Sequence, residues 1–498
     1  MLRRGCRPSS HPLLAVIALL AAVEVASGVI QGYYGPVMVD IAHDLDVRYA
    51  DLNWLEAAQL VFSALVVPPL ARLGDLVGHR RVLLVATAVT ALATWGIAFA
   101  PSFPAMLVAW TLQGTYVVWL PIEVAVMHRR TAGRPDQGRL TRRAAAILVA
   151  TLELSVIVAA VLAGQLADRV SLTTMLVLPA VVVTLCLPLL ALLEEIPGLP
   201  GGRFDWGGLG LMALAMLSVL GGLVAIRLDG PTSLPAWLLV AIGVVLLVPW
   251  WRYEARHPDP MIDVRLLREP AQWSVQATAF LVGMSLLGAQ VPLSTYFRSD
   301  PDVHGYGFGL TAAQGSVRIA FYVACLAIGA LTLGPVSRRL GARGAMALGC
   351  VVYAAGYAAW LPFHASPGAA WGVMAVIGLG TGGLVAAIPA AAAAVAPPGR
   401  VGSATGLTNA AKTVGGGIAS SVFAICLAGS GAIRVDGGSL GGYYAVWSIC
   451  AASGLVAAVV LGVTARAAPL NLEPKGAPGD PMAAPGPPST HAGGVADA

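Results

Sequence analysis

LNWLEAAQLVFSALVVPPLARLGDLVGHRRVLLVATAVTALATWGIAFA, from Leu52 to Ala100, is two apolar runs joined by a short basic turn. A helix crossing the hydrocarbon of a bilayer needs roughly 20 mostly apolar residues, and the runs 52–73 and 82–100 each meet that need. Working outward from this pair, runs of the same kind recur near 13–39, 104–128, 144–167, 174–193, 207–227, 236–252, 272–297, 311–335, 344–363, 369–395, 403–429 and 443–465. The expected fold is an all-α integral membrane protein with about fourteen transmembrane helices.

Composition agrees. Hydrophobic residues make up 57% of the chain and charged residues 11%, where soluble domains carry about a quarter charged. The net charge of +5 does not describe a nucleic-acid binder, because Lys and Arg sit in short strips between apolar runs rather than on one folded basic face. The strips instead report topology, since short cytoplasmic loops collect Arg and Lys. With the N-terminus inside, most of the 30 basic residues fall on the cytoplasmic side. Only Arg48, Arg169, Arg227, Arg298 and Arg434 fall outside, with Arg318 and Lys412 within spans. Adding or dropping one central span would scramble this segregation, so an even count with both termini cytoplasmic is expected. The basic N-terminal arm precedes an apolar run too long for a signal-peptide core, and that run carries Glu24; it reads as a retained first span. The six cysteines are isolated, five of them singly within apolar runs, and are expected as free thiols.

The turn ARLGDLVGHRR (Ala71 to Arg81) is echoed by VSRRLGARG (Val336 to Gly344) after the tenth run, each about 70 residues beyond the start of its half. Two related six-helix bundles with an inserted helix pair follow, the repeat plan of many secondary transporters. The expected divisions are a cytoplasmic arm 1–12, an N-terminal bundle 13–193, an inserted pair with its linker 194–271, a C-terminal bundle 272–465 and a disordered tail 466–498. The tail is rich in Pro, Gly and Ala and cannot bury a core.

On these residues the chain resembles the major facilitator superfamily, and within it the fourteen-spanner branch of drug:proton antiporters. GDLVGHRR looks like the family's G-x-L-A-D-R-x-G-R-R motif. Gln113-Gly114 in span four, FDWGG (Phe204 to Gly208), YEARHPDPMIDVRLL (Tyr253 to Leu267) and GLTNAAKTVGGGI (Gly406 to Ile418) follow in the family's order. The chain departs from the family where Trp110 replaces an Arg three residues before Gln113. It departs again in span five, where Ser155, Ala159, Ala160, Ala163 and Gly164 stand in place of a Gly-Pro pattern. Small side chains still allow close helix packing.

Ionisable side chains at bilayer depth are costly and therefore functional candidates. Glu24, Glu123, Glu153, Arg318 and Lys412 are the candidates for proton or charge coupling. The functional reading has Glu24 or Glu153 bind and release a proton as the cavity changes sides. The plain reading is a structural pair between a Glu and Arg318 or Lys412, with Glu123 neutralising nearby arginines. Glu56, near the outer end of span two, reads as a headgroup-level residue. The resemblance implies that first and fourth spans line a central cavity, and that Gly74, Asp75, Gly78, Arg80 and Arg81 form a cytoplasmic latch in which Asp75 caps a neighbouring helix. Gln31, Tyr33, Tyr34, Gln59, Trp110, Trp119, Gln113, Gln276, Gln290 and Asn409 offer amides and aromatic faces to an amphipathic or cationic compound; the intramembrane glutamines alternatively bridge helices.

No catalytic residue, metal site or cofactor is expected. The glycine runs Gly378–Gly383 and Gly415–Gly417 lie inside spans with no preceding strand and are helix-packing glycines. The resemblance implies a secondary transporter that moves a small organic or drug-like compound outward by alternating access, in exchange for protons. The departures keep an uncoupled or differently coupled facilitator as an alternative. An integral-membrane enzyme on lipid-linked substrates is the remote one. A monomer embedded in lipid, with no nucleic-acid partner, is expected. Lys is nearly absent, only Lys412 and Lys475, which points to a GC-rich bacterial genome and the cytoplasmic membrane.

Overall fold

The computed structural model describes residues 13–132, 134, 136–167, 169–195, 204–230, 232–258, 260, 262–395, 401–428 and 439–464. Among these there are helices and turns but no strands. The arm 1–12 and the tail 466–498 lie outside the described residues. Thirteen helical stretches are long and apolar enough to cross a membrane. One of them, Ala312–Phe363, runs for 52 residues and is broken at Gly341 (φ 70, ψ 168). It therefore counts as spans ten and eleven, giving fourteen.

Several spans are interrupted where the sequence breaks the helical ladder. Span one runs Leu13–Tyr33, passes through a 3-10 turn at Gly35–Val37 that contains Pro36, and resumes over Met38–Asp44, because proline supplies no amide and restricts its neighbours. Span four runs Phe103–Gln113 and Trp119–Arg130 around a 3-10 segment. There Gly114 lies so close to span two (Asn53–Val77) that an added Cβ would strike Ser63 Oγ and the Gln59 carbonyl. Span nine breaks between Pro270–Leu286 and Gln290–Arg298. The short run 236–252 lengthens to a full helix, Leu234–Arg256, and the run 144–167 extends back to Gln137.

The remaining spans are three (His79–Ala98), five (within Gln137–Leu166), six (Leu172–Ala191), seven (Trp206–Asp229), twelve (Pro367–Ala394), thirteen (Val401–Ala428) and fourteen (Leu440–Thr464). Span one packs on five and span three on six; nine packs on thirteen and eleven on fourteen. The two halves thus repeat the same helix contacts, and they meet through spans two on thirteen and five on ten. Lipid supplies no hydrophobic drive between helices, so backbone approach at small residues does the joining. Gly32 lies against the Val156 carbonyl of span five and Gly283 against the Lys412 carbonyl of span thirteen, in each case too close for a Cβ. The small residues of span five serve this packing: Ala159, Ala160 and Ala163 are buried and Gly164 abuts Ser316 of span ten. Spans seven and eight pack on each other, and span seven rests on spans two and thirteen through Met212, Met216, Leu223 and Ile226.

Fourteen crossings return the chain to the face from which it entered, and hydrogen bonds between the halves cluster on the opposite, far face. Arg298 clasps Asp40 in a fork, with both N to O distances at 2.8 Å, and also donates to the Pro36 carbonyl at 2.9 Å. Ser294 donates to the Gly35 carbonyl and Ser420 to that of Asn53. Among the described residues, no hydrogen bond joins the halves on the termini face.

Candidate functional site

Three groups of the sequence candidates come together, and each lies at a different place. The first is a carboxyl pair inside the first half. Glu24 from span one and Glu123 from span four are both fully buried, and their carboxyl groups lie within hydrogen-bonding range of each other. Among the described residues no other donor satisfies any of the four oxygens with good geometry. Ser27 lies beside Glu24 one turn on and accepts from Gln31 at 3.2 Å, so Glu24, Ser27 and the exposed Gln31 form one face of span one. Tyr116, in the 3-10 segment of span four, is within electrostatic reach of Glu24 and of Glu56. This corrects two expectations: Glu123 faces a carboxyl rather than neutralising loop arginines, and Glu56 is half-buried within electrostatic reach of Tyr116.

The second group bridges the halves at mid-depth. Glu153 of span five and Lys412 of span thirteen attract each other, although they form no ion pair within 4 Å among the described residues. Tyr322 of span ten is within reach of Glu153 and of the Thr381 hydroxyl. Close by, Tyr322, Tyr357, Ser285, Gln290, Met374 and Ile377 line a small, half-open cleft in the second half, and Tyr357 donates to the Ser285 carbonyl at 3.2 Å. Asn409 is half-buried on the same face of the sequence run as Lys412. Arg318 does not join this group. Its guanidinium lies 5.0 Å from the ring of Trp371 and donates to the Gln314 carbonyl, because it sits only six residues inside the far-face start of span ten.

Most of the amides expected along a substrate path are spent on helix bridging. Gln59 donates to Gln113 at 3.2 Å; Gln113 donates to Thr94 at 3.0 Å and to the Tyr34 hydroxyl at 3.2 Å. Trp110 packs on Tyr34 with centroids 4.7 Å apart. Gln276 donates to Gln272 and to the Ala404 carbonyl. These side chains and Tyr33 are all nearly inaccessible, which corrects the expectation that they line a path; buried amides must find partners, and here they find each other. Trp119 is fully buried. Gln31 and Gln290 remain exposed.

The third group is the motif turn on the termini face. Gly78 (φ 114) lets the chain reverse into span three, and a Cβ there would strike the Glu195 carboxylate. Glu195, four residues past span six, accepts from the backbone amides of Arg80 at 3.3 Å and Arg81 at 3.0 Å, an anion set on a helix N-terminus. Arg80 reaches the carbonyls of Leu190 and Ala191, and Arg130 reaches that of Glu194. Asp75 pairs with His79 at 3.3 Å, next to Arg72 and Arg129. Gly74 accepts from the Gly78 amide at 3.0 Å. All the described partners belong to the first half, so the expected cap by Asp75 on a neighbouring helix is replaced by the pair with His79. The lead-in to span thirteen, 396–400, is outside the described residues. Glu195 itself was missed by sequence reading; an acidic pair directly after an apolar run, LLEE, was the available signal.

Two repeated halves that are clasped on one face and enclose titratable groups at mid-depth form the architecture of a secondary transporter. The chain belongs to the Major Facilitator Superfamily, whose family model matches residues 20–420 and again 304–490. It is a multi-pass membrane transporter of small molecules, not an enzyme. It is similar to the tetracenomycin C resistance and export protein of Streptomyces glaucescens, 23% identical over 85% of this chain and 77% of that one. It also resembles the uridine/deoxyuridine transporter of Lactococcus lactis, 24% identical over 67% of this chain and 70% of that one. Among solved structures, an auto-inhibited peptide transporter of the POT family aligns with a TM-score of 0.65 at 16% identity, covering 92% of this chain and 99% of that one.

Proposed function

We propose that the protein exports a small organic, drug-like compound in exchange for protons, and that the Glu24 and Glu123 pair carries the proton. The supporting observation is the pair itself: two neighbouring carboxyls, fully buried, with no cation beside them among the described residues. Two like charges at that distance and away from water repel strongly, so the pair is stable when it shares a proton that one oxygen donates to the other, as paired carboxyls do elsewhere. Release of that proton frees a charge that must be hydrated, which favours the conformation that admits water to the pair. Coupling by this route needs no Arg at the place of Trp110. The substrate meets Tyr322, Tyr357 and Gln290 from the second half and Gln31 from the first. The export and resistance proteins among its relatives support the compound class and the direction.

In this reading both termini are cytoplasmic, as the Arg distribution favours, and the far-face clasp makes the present state inward-facing. The chain works as a monomer in the bacterial cytoplasmic membrane, with bundles 13–193 and 272–465 moving about the inserted pair in 194–271. Asp75, Arg80 and Arg81 stabilise the alternate state from the termini face.

The test is proton flux in liposomes loaded with a pH-sensitive dye, with an imposed gradient and a panel of lipophilic cations, antibiotics and nucleosides. Wild-type protein should show substrate-triggered proton movement, and Glu24→Gln should reduce it to the leak of empty liposomes. Substrate movement without protons would favour the second reading, a facilitator, which the replacement of the family's span-four Arg by Trp110 supports. A nucleoside-only response would replace the drug-like substrate class.

A further inference from the structure

The turns joining the second to the third span of each half are built alike, but their arginines are matched differently. In the first half, Arg80 lies two residues beyond Gly78 (φ 114), reaches the end of span six, and has Glu195 beside it on the helix N-terminus. In the second half, Arg343 lies two residues beyond Gly341 (φ 70) and reaches the end of span fourteen, donating from Nη1 to Thr464 at 2.5 Å. Arg343 is only 7% exposed, and its Nε and Nη2 have no partner among the described residues. A Cβ on Gly78 would collide with Glu195, whereas no atom of the described residues comes within 4 Å of a Cβ placed on Gly341.

We propose that this second-half turn binds the phosphate of an anionic lipid headgroup. A buried guanidinium without an anion is expensive. The planar fork left by Nε and Nη2 matches two phosphate oxygens. Span eleven starts at Gly341 as span three starts at Gly78, and the first amides of a helix are a general anion-binding feature. Arg338 and Arg339, both exposed, add positive charge one turn before Gly341. Leu340 and Val463, next to Gly341 and Thr464, are 55% and 73% exposed on the helix surface. Apolar neighbours of that kind suit acyl chains, so a lipid satisfies both the charge and its surroundings where a free phosphate satisfies only the charge.

The experiment compares the full chain in phosphatidylcholine nanodiscs with and without phosphatidylglycerol. Retained lipid is counted by native mass spectrometry and thermal melting is followed in parallel. Wild-type protein should retain phosphatidylglycerol preferentially and melt higher with it. Arg343→Gln should bind it on the order of tenfold more weakly, as expected for a lost charged hydrogen bond. If that variant does not give monodisperse protein, Arg343→Lys keeps the charge but loses the fork and should show intermediate retention. Equal retention of the two lipids by wild type, or unchanged retention in the Arg343 variants, overturns the proposal. So does a melting shift that inorganic phosphate reproduces in full.

Discussion

The two halves share helix order and packing but not chemistry. Between spans one and four the first half encloses Glu24 and Glu123. The corresponding spans nine and twelve contain no ionisable residue over Pro270–Leu286 or Pro367–Ala394. In their place Gln272 donates to the Ala392 carbonyl at 2.8 Å and Gln276 to that of Ala404 at 3.2 Å. A bonded amide holds helices at fixed spacing and has no second state to offer. A carboxyl pair has two, with and without its proton, and its hydration cost differs between them. On the proposed reading a duplicated scaffold divides labour: one half carries the titrating pair, and the other supplies aromatic hydroxyls and Lys412, which attracts Glu153 across the interface.

The largest effect should come from reversing that division of labour. Glu123→Gln converts the pair into the amide arrangement of the second half, and it should abolish substrate-driven proton flux while leaving substrate exchange at zero gradient. Gln276→Met should do the opposite, leaving flux intact and costing about 1 kcal/mol of stability for the carbonyl left without its donor. Flux and melting temperature measured on both proteins decide the matter. Equal loss of flux in the two variants would mean that the halves do not differ in the way described.

How much of this was legible in the sequence depends on the range over which each residue acts. Spans and their count rest on local hydropathy, and even the long helical stretch Ala312–Phe363 shows its division as the RLG turn that ends at Gly341. The intramembrane glutamates were visible for the same reason: a charge in an apolar run stands out without any knowledge of neighbours. Pairings were not visible. That Glu123 meets Glu24, or that Gln59, Gln113 and Tyr34 use up one another's hydrogen bonds, depends on helix rotation and on contacts some 50 to 100 residues apart in the chain, which hydropathy does not encode. Arg318 was misjudged because its position in the run suggested depth, whereas its place just inside the far-face start of span ten puts it under Trp371. The clasp of Arg298 on Asp40 was hidden because both residues look like ordinary span-end charges.

A smaller contrast separates the two motif turns. Ala at Gly78 or Gly341 imposes a Cβ on a positive-φ backbone, at roughly 1–2 kcal/mol. At Gly78 the Cβ also displaces Glu195 from the amides of Arg80 and Arg81, a cap of about 1 kcal/mol. Gly78→Ala should therefore lower the melting temperature clearly more than Gly341→Ala, where no atom of the described residues is displaced. If the two variants melt alike, Glu195 contributes nothing to the turn and the first half holds its third span by packing alone.

The smallest effect is expected where the halves touch. Asp40 comes from the first half and Arg298 from the second, and their fork is partly open to solvent, with side-chain exposures of 36% and 15%. A pair so placed contributes about 0.5–1 kcal/mol, and because it exists only while the far face is closed, its whole value biases the conformational equilibrium. Asp40→Asn keeps the shape and the hydrogen bonds of one oxygen but removes the charge. The fraction of molecules with the far face open should then rise roughly two- to fivefold, which spin labels at Asp44 and Val303 would read as growth of a longer-distance population. With the carboxyl pair intact, proton coupling should survive the change. Loss of coupling in Asp40→Asn would mean that the far-face clasp is part of the proton path, and the assignment of titration to the interior of the first half alone would fail.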